Sequence, residues 1–217
     1  MDRILSKVTG EKKPNRAPAA GGEISPPRSL TRTVHWHANV SSRGLKTAGV
    51  LAMSLSPAEF RKAMGCFATG VTIITLDLDG EVHGMTANAF SSVSLDPPLL
   101  LVCVDHSAHT HAHMHSKKRF GVNILAENQR EISDYYARPV HTHDQAEEIA
   151  GARFDRTEKG TPILHGALAY VECRLQSAQV AGDHTIFIAE VEHVVVRQGE
   201  PLLFFRGKYR HIGEGVG

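Results

Sequence analysis

The chain has 217 residues, 41% of them hydrophobic and 22% charged, which gives enough apolar mass for one good core or two small ones. Its longest apolar run, residues 98–104, is far shorter than the roughly 20 residues of a membrane helix, so a soluble, cytoplasmic protein is expected. The net charge of +1 divides into +6 over residues 1–53 and −5 over the rest, and a body of that sign is a poor partner for nucleic-acid phosphates.

Residues 1–53 mix Pro14, Pro18, Pro26, Pro27, Gly21 and Gly22 with scattered charge and keep no helical or strand period. They read as a disordered basic arm, or as a stretch preceding a true start at Met53; the prolines spoil the amphipathic helix of a transit peptide. The folded domain is expected over 54–217. Ser56-Pro57-Ala58-Glu59 is a capping box with proline at the first helical position, and Phe60, Ala63, Met64 and Phe67 then share one helical face. Gly70 ends that helix. Val71 to Thr75 is β-branched throughout and predicts a strand, followed by a turn at Asp77 to Gly80.

Further strands are predicted at Val82 to Thr86, Leu99 to Val104 and Phe120 to Leu125, with helical pieces around Thr110 to Lys117, Gln129 to Tyr136 and Gln145 to Ala150. Ala169 to Val180 and His184 to Arg197 form a long hairpin through Ala181-Gly182-Asp183. Strands outnumber helices and end in a hairpin, which favours an antiparallel barrel with appended helices over a parallel βαβ sheet.

Neither GxGxxG nor GxxxxGK[ST] occurs, and GxSxG and HExxH are also missing, so nucleotide-fold, nucleophile-elbow and zincin chemistry have no support. Cys66, Cys103 and Cys173 lie far apart without a CxxC pair, against both a disulfide framework and a thiolate zinc site. His109/His113 and His111/His115 have ligand spacing on a helix, but the two pairs point to different faces; no metal is expected.

Three polar segments remain. Gly84 to Pro98 carries small hydroxyls and an amide that let backbone approach a flat heteroaromatic ring, although the same composition also suits plain turns. Cys103 to Thr110 leads from a strand into a helix start, which suits a phosphate or is an ordinary N-cap. Gly182-Asp183-His184 sets a histidine beside an acid at a strand start, either a polar anchor near a pocket or a structural histidine.

In order, Phe67 to Thr75, Gly84 to Pro98, Phe120 to Leu125, Gly182 to Phe187 and Pro201 to Tyr209 resemble the short-chain flavin reductase family. These are the reductase components of two-component flavin-dependent monooxygenases. The resemblance implies a mainly β fold with helices, the FMN-binding split β-barrel, antiparallel and Greek-key-like. It implies hydride transfer from NADH or NADPH to FMN or FAD, a homodimer, and a partner monooxygenase that receives reduced flavin. It also implies that Thr86, Ala87, Asn88, Ser91 and Ser92 line the flavin. By the same resemblance, Val104, Asp105, Ser107 and Thr110 serve its ribityl and phosphate portion, Phe120, Gly121 and Asn123 complete the floor, and His184 lies near the nicotinamide. A non-catalytic flavin binder and a flavin-dependent oxidase or oxygenase are the alternatives. The segment after Cys103 is richer in histidine than the family pattern, with His106 and His109 where Arg or Ser is commoner.

Overall fold

Seven strands join edge to edge, all antiparallel, in the order Glu81–Ala87, Thr72–Leu78, Arg119–Ile124, Ala169–Ala181, His184–Val196, Pro98–Asp105 and Phe90–Leu95. The computed structural model describes residues 55–138 and 145–213; the expectations for residues 1–53 and for Ser54 lie outside the described residues. In chain order the elements are α1 (Pro57–Met64), β1 (Thr69–Gly70), β2 (Thr72–Leu78), β3 (Glu81–Ala87), β4 (Phe90–Leu95) and β5 (Pro98–Asp105). There follow α2 (His109–Lys117), β6 (Arg119–Ile124), α3 (Arg130–Tyr136), α4 (Ala146–Ala150), β7 (Phe154–Arg156) and β8 (Pro162–Leu164). The chain closes with β9 (Ala169–Ala181), β10 (His184–Val196), β11 (Leu203–Phe205) and β12 (Lys208–Arg210).

The sheet curls on itself. Met85 and Ala87 of one edge strand and Phe90 of the other pack on the same core, which is built from Ile74, Val102, Phe120, Val122 and Phe187. Each such buried side chain contributes about 1.5–3 kcal/mol by leaving water. Bulges between Ile188 and Ala189 and between Val191 and His193 bend the β9–β10 hairpin, so a pair of 13-residue strands follows the curve. A second core, with Ile73, Leu125, Tyr135, Tyr136 and Leu164, lies under α3, α4 and β8.

The predicted strands and the later helices are present with ends shifted by at most three residues, but the first helix is closed by Gly65, whose N–H bonds back to Arg61 O, and not by Gly70: Phe67 lies beyond it and Gly70 belongs to β1. The capping box is formed in full, with Ser56 Oγ accepting from Glu59 N–H and Glu59 bonded back to Ser56 N–H. Yet α1 buries none of its residues: Phe60 and Met64 are about half exposed, so its apolar stripe is not a core face. Residues 90–95, read only as a polar turn, form β4; β1, β7, β8, β11 and β12 are too short to show a period in sequence.

Candidate functional site

Strand alternation sorts β5 into two faces. Leu100, Val102 and Val104 point into the core, while Leu101, Cys103 and Asp105 take the outer face. Opposite them in β10, Thr185, Phe187 and Ala189 are buried, so His184, Ile186 and Ile188 share that outer face. In β4, Ser91 pairs with Leu101 and continues it. The result is one strip running from Ser91 through Leu101 and Cys103 to the Asp105–His184 pair.

Beside this strip opens a groove of about 900 Å³, inside the roughly 300–1,000 Å³ usual for small-molecule sites. Its far wall is the exposed face of α1, with Phe60 and Met64, and the β11–β12 turn, with Phe204 and Arg206. Thr69, Asn88 and Ser91 supply uncharged polar groups, and Arg61 and Arg206 two cations, to a lining that is otherwise apolar. Asn88 Nδ2 donates to Thr69 Oγ1 at 3.3 Å, and Cys103 N–H donates to Ala89 O at 2.9 Å, which ties the β3–β4 link to β5. Cys103 is partly covered, and burial pushes its thiol up.

At the strip's end Asp105 Oδ1 accepts from both the N–H and the Oγ of Ser107, each at 2.7 Å, and these bonds hold its carboxyl below the usual range. His106 N–H donates to Asp183 O at 3.0 Å, fastening this end to the β9–β10 turn. His184 Nδ1 lies 2.7 Å from Asp183 Oδ1, and that bond lowers the Asp183 carboxyl. Asp183 as acceptor fixes Nδ1 as the protonated nitrogen and points Nε2 away. The N-cap of α2 is Ala108, with no side-chain bond to the helix N–H groups.

Behind this face, the buried Thr185 hydroxyl lies between His106 Nε2 at 3.1 Å and His111 Nε2 at 2.8 Å. The His111 ring packs at 4.9 Å from His106 and 5.1 Å from His115. Burial pushes the His111 pKa down, with His106 and His115 adding to the effect and Asp105 opposing it. The described residues hold no group of three or more His, Cys, Asp or Glu placed for a metal ion.

The structure brings Asn88, Ser91, Asp105, Ser107 and His184 to one face and one end of the sheet. Ala87 packs on the core, and the exposed Ser92 pairs with core-facing Leu100 and so takes the face of β4 opposite to Ser91. The others also depart from the expectation. Val104 and Phe120 are core side chains. Asn123 is fully buried and bonds Ile73 O, Thr75 Oγ1 and Leu164 N–H. A Cβ on Gly121 would stand 2.4 Å from Thr75 Oγ1 and 2.8 Å from the Tyr170 ring. These residues close the barrel wall and form no floor to the groove. Thr86 Oγ1 donates to Ser133 O, and Thr110 Oγ1 contacts His83 Nε2 at 2.9 Å, so both hydroxyls turn inward. Phe60, Met64, Leu101 and Arg206 are not among the site residues expected from sequence, where Phe60 and Met64 read as a core face; the apolar pair Phe204-Phe205 meeting Arg206-Gly207 is the signal for a hairpin turn there.

The model of the flavin reductase like domain matches residues 64–213. The NADH-dependent flavin reductase of Rhodococcus sp is 38% identical over 170 residues, spanning 77% of this chain and 93% of its own. The 4-nitrophenol 4-monooxygenase/4-nitrocatechol 2-monooxygenase reductase component of Rhodococcus opacus is 38% identical over 158 residues, 73% of this chain and 82% of its own. The NADH:FAD oxidoreductase SgcE6 of Streptomyces globisporus C-1027, solved with NAD and FAD fragments, superposes with a TM-score of 0.67 at 34% identity, covering 74% of this chain and 94% of its own.

Proposed function

The chain belongs to the flavin reductase like family, and we propose that it transfers hydride from NADH or NADPH to FMN or FAD and supplies reduced flavin to a partner flavin-dependent monooxygenase. The observation that carries this reading is the outer-face groove, whose apolar walls and few polar groups suit a planar heteroaromatic ring beside a polar strand end. When bound, the two ligands supply the redox chemistry itself, with the nicotinamide as hydride donor and the flavin as acceptor.

The chain's own work is positioning and exclusion of water. Phe60, Met64, Leu101 and Phe204 give two apolar walls that hold a ring flat. The Asn88 amide and the Ser91 hydroxyl offer hydrogen bonds to the ring edge. Asp105 and Ser107, with the uncapped N–H groups at the start of α2, serve the ribityl and phosphate end, where Thr110 contributes backbone and not its hydroxyl. His184, oriented by Asp183, presents Nε2 to an incoming nicotinamide.

A homodimer fits this site, since the groove is open on one side and Val93, Leu95, Val180, Val194 and Val196 are exposed. Among the described residues no helix is long and apolar enough to cross a membrane; a cytoplasmic place of work is part of the proposal. The test is NADH or NADPH oxidation by the purified chain with FMN, FAD or riboflavin. Flavin-dependent turnover is expected, and no turnover with any pairing overturns the reading.

A further inference from the structure

Asn88 stands in the link between β3 and β4, and its backbone is pinned on both sides. Before it, Thr72 Oγ1 donates to Ala87 O at 2.7 Å; after it, Cys103 N–H donates to Ala89 O at 2.9 Å. The residue itself is exposed, and the one side-chain hydrogen bond it makes among the described residues runs from Nδ2 to Thr69 Oγ1 at 3.3 Å. Thr69 is held in turn, since β1 pairs it with Phe204 of β11. The pair stands where two hollows meet, the groove and a neighbouring cavity of about 300 Å³, and both residues line both.

A carboxamide has a donating end and an accepting end, and a bond to either one fixes the other. With Nδ2 turned to Thr69, Oδ1 faces away from it as an acceptor. Ser91 Oγ donates to Ser92 O at 3.1 Å, so this hydroxyl too has lone pairs and no hydrogen left to offer. Charged donors line the opposite wall, at Arg61 and Arg206. The groove is therefore polarised, with acceptors on the sheet side. Strand shape does not account for Thr69, because valine would supply the same branched fit in β1 without a hydroxyl.

We propose that Thr69 is a positioning residue: it fixes the Asn88 carboxamide with Oδ1 toward the ligand, so that the groove selects a ring edge carrying an N–H donor over the same ring alkylated there. The proposal rests on the flavin reading of the groove, and under that reading the donor is the imide N3–H of the flavin ring. An amide free to turn meets a donor or an acceptor equally well. A fixed one meets a donor and sets an alkylated nitrogen against an unpaired oxygen.

Fluorescence titration of the purified full chain with riboflavin and with 3-methylriboflavin tests this without turnover, since the two ligands differ at N3 alone. The wild-type chain is expected to bind riboflavin at least about fivefold more tightly. Thr69→Val keeps the branched shape and removes the acceptor; it is expected to weaken riboflavin about threefold or more and to leave 3-methylriboflavin within about twofold, which narrows the ratio. Thr69→Ser keeps the hydroxyl and is expected to restore the wild-type ratio. The proposal is overturned if the wild-type chain binds the two ligands within about twofold of each other, or if folded Thr69→Val weakens both alike and keeps the wild-type ratio. A chain that shows the expected ratios but oxidises neither NADH nor NADPH with any flavin overturns the reductase reading and leaves the role of Thr69 standing. A chain that binds neither ligand overturns both.

Discussion

His184 and Asp105 are direct partners across the β5–β10 ladder, both on the outer face and both at the strand end where the polar groups of the site collect. A one-residue slip in that register would turn His184 into the core and Thr185 out of it. The two register shifts of the β9–β10 ladder lie beyond Ile188, so the segment that carries His184 keeps a regular register with β5.

Removing this histidine separates hydride delivery from flavin binding. For His184→Ala, kcat/KM for NADH is expected to fall by about tenfold to a hundredfold while the flavin dissociation constant stays within about twofold. Stopped-flow reduction and a flavin titration read the two quantities. An unchanged reduction rate makes His184 a structural residue.

Ser107 sits where Asp105 collects its N–H and its hydroxyl. Ser107→Ala keeps the N–H and loses the hydroxyl, so KM for FMN is expected to rise several-fold while KM for riboflavin, which has no phosphate, stays put. Equal changes for the two flavins would move the phosphate elsewhere.

Asn123 is tied to three partners inside the wall and belongs to stability. Asn123→Leu is expected to cost about 2–4 kcal/mol, because it strands Leu164 N–H and Ile73 O in a dry interior. The melting temperature should drop by about 4–16 °C at the usual 2–4 °C per kcal/mol. Weaker flavin binding with no loss of stability would return Asn123 to the ligand floor.

His111 gives the fold an acid-sensitive point. Its folded pKa is depressed, so above the ordinary histidine value of about 6.5 it is neutral in both states and costs nothing. As the pH falls below that value the unfolded chain takes up the proton first, and stability declines until the folded value is passed. The facing groups are His106, His115, Asp105 and the Thr185 hydroxyl. His111→Gln is expected to flatten the fall in melting temperature between about pH 6.5 and 5. The same slope in variant and wild type contradicts this.

Much of the barrel was legible because its strands declare themselves locally. Ile73, Ile74 and Thr75 are β-branched, and the Gly182-Asp183 turn joins two long runs. The candidate site was legible where polar residues interrupt such patterns, at Asn88, Ser91 and His184, which the structure brings to one face of the sheet. It was not legible where burial decides. Asn123 and Thr110 have the polar chemistry of ligand groups, yet the register of β6 and the seat of α2 turn them to internal partners. The converse holds for Phe60 and Met64, whose helical spacing is that of a core face although they wall an open groove.

The most direct measurement is a crystal structure of the protein grown with oxidised FMN. The ring should lie in the groove along Ser91, Leu101 and Cys103, with its phosphate at Ser107 and the start of α2. A flavin seated away from that strip, with Asn88, Ser91 and His184 all beyond its reach, contradicts the account.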